Sequence, residues 1–176
     1  MVILSVKKIF INQKGQSLVE AVAAVALVAV VVVVLSTLAI GSVRNAYFAK
    51  QQSIASFYGQ QGIELTRSVR DQDGIVDWSG TLPPSSKFSA LWGQTLGAGV
   101  LFKLVQVGVN WQLEQINDES FGESFSGGFK RTVKISDDSG SCGSDPTKIK
   151  RVLVRVTWKD NKSELISCLT KIENLK

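Results

Sequence analysis

The stretch that decides the fold is Lys14-Gly15-Gln16-Ser17-Leu18-Val19-Glu20, followed by Ala21-Val22-Ala23-Ala24-Val25-Ala26-Leu27-Val28-Ala29-Val30-Val31-Val32-Val33-Val34-Leu35. After Ser36-Thr37 the apolar character resumes with Leu38-Ala39-Ile40. Ala21 to Ile40 is 20 residues, and a helix of that length spans roughly 30 Å, the thickness of one hydrocarbon core. Glu20 stands at the mouth of this run. An unpaired carboxylate costs about 2.5–3.5 kcal/mol at mid-bilayer and less toward the edge, so this residue needs a purpose.

Working toward the N-terminus, Lys7, Lys8 and Lys14 precede the run with no acidic residue among them. The positive-inside rule then keeps the N-terminus cytoplasmic and exports the bulk of the chain. Three readings of the segment follow. A permanent single-pass anchor explains length and charge but not Glu20. An ordinary secretory signal would be cut at Ala39-Ile40-Gly41, yet the apolar region exceeds the roughly 7–15 residues of a signal core. In the third, a leader is removed before the run and the run is retained.

The third reading carries a resemblance. Lys14-Gly15, then Gln16-Ser17-Leu18-Val19-Glu20 and a 20-residue apolar helix, is similar to a type IV prepilin. The resemblance implies cleavage by a prepilin peptidase/N-methyltransferase between Gly15 and Gln16, methylation of the new amine, and Glu20 as the fifth residue of the mature chain. One departure is Gln16, where the family most often has Phe. It also implies the partners: other pilin or pseudopilin subunits, an inner-membrane assembly platform and the lipid bilayer. The pairing chemistry is general, because an ammonium and a carboxylate in one apolar setting are tolerable together and costly apart. In a filament, Glu20 of one subunit would meet the terminal amine of the next, as a register device.

Beyond Ile40 the pattern turns amphipathic, with Val43, Tyr47, Ile54, Phe57, Tyr58, Leu65 and Val69 at helical spacing. The helix is expected to continue through residues 41–70 and to end at Asp71-Gln72-Asp73-Gly74. Residues 71–99, punctuated by Gly80, Pro83-Pro84, Gly93, Gly97 and Gly99, have no period. They form a connecting region, with Trp78, Phe88, Leu91 and Trp92 to hold it down. Residues 100–176 are strand material. One long strand is expected over Leu101–Leu113, a second over Phe129–Ile135 and a third over Lys148–Trp158. Asp160-Asn161 makes a hairpin turn into a fourth, placing Leu165 opposite Val156 and Leu169 opposite Val152. The expected architecture is α+β: a long N-terminal helix, its first half (16–40) membrane-spanning, packed on a four-stranded antiparallel sheet. The segments 129–133, 154–158 and 169–170 also resemble, more loosely, minor pilins and type II secretion pseudopilins.

Composition limits the chemistry. With no histidine, Ser-His-Asp and Cys-His catalysis are excluded and the commonest metal ligand is missing. Two cysteines cannot form a four-thiolate zinc site. No catalytic constellation is present, so an enzyme, a cofactor and a metal are not expected. The net charge is +5, and without the three leader lysines 17 basic side chains face 15 acidic ones, too even for a basic nucleic-acid surface.

Three clusters remain. Cys142 follows the second expected strand and Cys168 lies in the last, at the same end of the meander. A disulfide suits that placement and an oxidising exported side; the alternative is two free thiols. Asp71-Gln72-Asp73-Gly74 with Asp77 resembles part of a calcium loop, but Leu82 stands where the bidentate glutamate belongs. Asp137, Asp138 and Asp145 lie where some pseudopilins bind calcium; both clusters read as solvated turn aspartates. Lys130, Arg131, Lys134, Lys148, Lys150, Arg151 and Arg155 form a basic strip. Some family members bind DNA, but strand cations more commonly make a solvated face that resists edge pairing. Overall the reading is a structural pilin or pseudopilin subunit, exported to a surface or periplasm-facing filament. The alternative is an extracytoplasmic binding module, anchored by the same helix or released at Gly41.

Overall fold

The computed structural model describes residues 16–77, 86–137, 142–143, 145 and 147–172, with side chains from residue 18. A single helix, α1, runs Gln16–Asp71. Contacts divide the chain into a first unit ending at Phe48 and a second beginning at Ala49.

The first unit is helix throughout its described residues. Val30 to Val34 is a run of five valines, whose β-branched side chains favour strands in water. Lipid reverses that preference, because a helix alone satisfies every backbone group within its own segment. The run is apolar all round and exposed, with Val25 69%, Leu27 69% and Val33 62% accessible. Its hydroxyls are satisfied internally: Ser36 Oγ donates to the Val32 carbonyl at 2.7 Å and Thr37 Oγ1 to Val34 at 2.8 Å. This helix is long and apolar enough to cross a membrane.

In the second unit α1 lies on the sheet through Ala55, Gly59, Gly62, Ile63, Thr66 and Val69. Of the large residues the periodicity picks out, Val69 is buried in this stripe, but the rest of it is built largely from small residues that the periodicity passes over. Phe57 is 61% exposed, while Ile54, Tyr58 and Leu65 are only half-buried. Close approach is the reason. A Cβ on Gly62 would come within 2.8 Å of Arg131 Cδ and 2.9 Å of Val154 Cγ1.

Eight strands occur among the described residues, not four: β1 Ile75–Asp77, β2 Ser86–Lys87, β3 Val100–Val107, β4 Asn110–Ile116, β5 Glu123–Ser124, β6 Phe129–Ser136, β7 Ile149–Trp158 and β8 Asn161–Thr170. Their order is β2-β1-β4-β3-β6-β7-β8, with β5 paired to β6. All pairs are antiparallel except β1 with β4. The long strand expected over Leu101–Leu113 is a hairpin, with Val107 opposite Asn110 and Gly108 at φ +63°. Alternation survived across the turn because Val107 and Val109 keep the odd positions apolar, yet they are 52% and 90% exposed. The other additional strands, β1, β2 and β5, have two or three residues each, too few to display a period.

The last hairpin also differs in register. Its turn is Lys159-Asp160, with Trp158 opposite Asn161, Val154 opposite Leu165 and Lys150 opposite Leu169. Lys159 takes the positive φ, +50°, that tight hairpin turns require. A shift of two residues preserves the face of every side chain, so the apolar side is the expected one.

The main core joins Ile63 and Val69 of α1 to Phe102, Leu104, Leu113, Val133, Ile135, Val152, Val154 and Leu169 of the sheet. A short 3-10 helix over Phe88–Gly93 adds Phe88, Leu91 and Trp92. A second cluster holds Ala55, Phe129, Val156 and Trp158, with Tyr58 and Phe125 packed on it.

Candidate functional site

The segment singled out by the sequence maps onto the start of α1. Gly15 and the leader, like Trp78, Leu82 and Asp138, lie outside the described residues. Gln16 is the first residue of α1, and Glu20 follows one turn later on the same face. Glu20 is exposed. No ion pair joins it to another described residue. With Ser36 and Thr37 bonded to their own helix, Glu20 is the polar side chain between residues 18 and 40 whose needs the described unit does not meet.

Cys142 and Cys168 form a disulfide, with Cα atoms 5.4 Å apart and a sequence separation of 26. The bridge ties the loop after β6 to the edge strand β8. In the chain-entropy account a loop of this size is worth about 3–4 kcal/mol.

Two residues of the basic strip depart from the solvated face expected of it, while Lys130, Lys134, Lys148, Arg151 and Arg155 stay partly or fully exposed. Arg131 and Lys150 are each 1% exposed and point into the core face. Arg131 Nε donates to Glu123 Oε2 at 2.9 Å, and Nη2 pairs with the same oxygen. Its Nη1 donates to the Tyr58 carbonyl at 2.9 Å and to Gln61 Oε1 at 3.2 Å, so one guanidinium fastens α1, β5 and β6 together. The Phe125 ring lies 4.9 Å from the guanidinium carbon and stacks on Tyr58 at 4.1 Å. Burial pushes the Glu123 carboxyl up, against the opposing pull of Arg131.

Lys150 Nζ donates to Asp137 and, at 2.9 Å, to the Gln94 carbonyl. Asp137 Oδ2 accepts from the amides of Leu96 and Gly97. Burial pushes the Asp137 carboxyl up, but the hydrogen bonds from Lys150, Leu96 and Gly97, with the Lys150 charge, outweigh it and hold the carboxyl below its ordinary value. Arg155 pairs with Glu119 and, at 2.8 Å, with Glu164. Strand parity could have found the two buried cations: Arg131 shares its face with Phe129, Val133 and Ile135, and Lys150 with Val152, Val154 and Val156. Their partners, Glu123 and Asp137, lie in segments without period and gave no such signal.

Several of the aspartates weighed for calcium are engaged by protein groups. Asp73 accepts from the Ser89 amide at 2.7 Å and its hydroxyl at 3.2 Å, and Asp71 pairs with Arg70 at 2.7 Å. Asp145 accepts from the Thr147 hydroxyl at 2.6 Å and its amide at 3.0 Å, which lower its pKa. A shallow cleft of about 260 Å³ is lined by Arg70, Asp73, Phe88, Ser89, Trp92, Lys171 and Ile172. Within it Arg70 bonds Asp71 and the Thr170 carbonyl, so its main polar groups are already engaged.

Comparison of the chain with protein-family models, curated proteins and solved structures returned no match.

Proposed function

We propose that this chain is a type IV pilin-like structural subunit, a minor pilin or a secretion pseudopilin. It is made as a membrane-inserted precursor, cut after Gly15, and assembled through α1 into a filament. A single observation carries the reading: Lys14-Gly15, then Glu20 four residues after Gln16, at the entrance of an apolar helix exposed on all sides. A permanent anchor needs the helix but not the carboxylate. A register device needs both, because the terminal amine freed at Gln16 supplies the missing partner in a neighbouring subunit. The leader lysines set a cytoplasmic N-terminus and an exported domain, and the Cys142–Cys168 bridge suits an oxidising compartment. The domain is displayed cargo; its work is mechanical, not catalytic.

Gly15→Val tests the processing step. The substitution is expected to leave the precursor at full length beside its prepilin peptidase. A shortened product of unchanged mass would overturn the proposal and favour an anchored or secreted binding module.

A further inference from the structure

Arg44 is the one charged residue between Glu20 and Lys50. Tyr47 and Phe48 stand three and four positions after it, one turn on and on the same face of α1. Arg44 is exposed, as are Tyr47 (53%) and Phe48 (50%). Glu20 and Arg44 therefore bracket a helix without charge, and the 24 steps between them extend roughly 36 Å. A hydrocarbon core is about 30 Å thick, and a bilayer with its headgroup regions about 40–45 Å. With the run centred, each bracketing charge falls about 3 Å outside the hydrocarbon. Neither charge then has to be buried in lipid.

We propose that Arg44, Tyr47 and Phe48 form a docking surface for phospholipid headgroups of the exported-side leaflet. It rests on the membrane-inserted precursor proposed above. The guanidinium takes a lipid phosphodiester in its two-pronged donor geometry. The two rings lie beside it at the boundary between acyl chains and headgroups, where amphipathic aromatics collect. The occupant follows from continuity with the apolar run, from the match of length, and from the sign of the charge. The consequence is a fixed depth for the precursor, which sets Glu20 at the opposite headgroup layer before assembly.

The test uses the full chain, with its disulfide intact, in vesicles of phosphatidylcholine with or without phosphatidylglycerol. Nitroxides are placed at Val33→Cys and Asn45→Cys, and their depths are read from collisions with oxygen and with a water-soluble nickel chelate. The Val33 label is expected at the bilayer centre and the Asn45 label at headgroup level. Spin-labelled phosphatidylglycerol should associate with the protein in preference to phosphatidylcholine. Arg44→Gln should reduce that preference about fivefold, the effect of one interfacial cation, and Arg44→Lys should restore most of it. A deep or fully aqueous Asn45 label, or a preference untouched by Arg44→Gln, overturns the docking surface while the membrane span stands. A Val33 label in water overturns the span and the docking surface together.

Discussion

Gly62 lies against Arg131 of β6 and Val154 of β7, with no room for a side chain between them. Adding a methyl would gain about 1 kcal/mol of helix propensity, but the clash with Arg131 Cδ and the stiff Val154 side chain overpacks the core at a cost of about 1–3 kcal/mol. Gly62→Ala is therefore expected to lower the thermal midpoint. Gly59→Ala, which meets the terminal methyl of Leu165 at 2.6 Å, should be milder because that side chain can turn aside. Equal midpoints for both variants and the parent would refute the close-packing account. Asp137 gives a pH prediction. Its folded pKa lies below the ordinary 3.8, so its stabilisation is complete above that value and is lost as pH falls through the lower folded value. Glu123, raised by burial, runs the other way: its contribution is present at low pH and lost as pH rises through the folded value. Asp137→Asn leaves Lys150 buried without its counter-charge, and breaking such a pair costs about 3–5 kcal/mol. Denaturant unfolding should show that loss at neutral pH and a flatter decline on acidification than in the parent. An unchanged acid limb would assign the acid sensitivity elsewhere.

At the level of elements, what could be read from the sequence depended on length and period. The apolar run, the helix end near Asp71, and strands β6, β7 and β8 each repeat their pattern often enough to be recognised. The β3–β4 hairpin was hidden because Gly108 fits the polar positions of an alternating strand, and only its φ of +63° marks the turn. The register of the last hairpin turned on whether Lys159 or Asp160 opened the turn, a backbone choice that composition does not specify. The helix face was read only in part for a related reason. Val69 is in the core and Ile54, Tyr58 and Leu65 pack against it, but hydrophobic size also points to the exposed Phe57, whereas close packing selects Gly59 and Gly62. The disulfide was placed by topology, and its energetic weight is testable. Reduction, or Cys142→Ser with Cys168→Ser, should cost about 3–4 kcal/mol on the loop-entropy estimate, read as a lower denaturant midpoint. An unaltered midpoint would mean the loop is held by Lys150, Asp137 and their backbone partners alone.

At the scale of the whole molecule, the chain joins an apolar helix suited to lipid with a disulfide-braced α+β domain. Glu20 would join one subunit to the next in the proposed assembly, since it has no ion-pair partner in its own described unit and would gain one beside a second processed subunit. Glu20→Val is expected to leave membrane insertion intact and to abolish or strongly reduce incorporation into filaments. Normal incorporation of that variant would remove the register role. The most direct test of the central claim is the mass of the intact mature protein, with sequencing of its N-terminus, after expression beside a prepilin peptidase. The account predicts a chain beginning at Gln16, with the whole apolar helix retained. A chain beginning at Met1 or at Ser42 would contradict it.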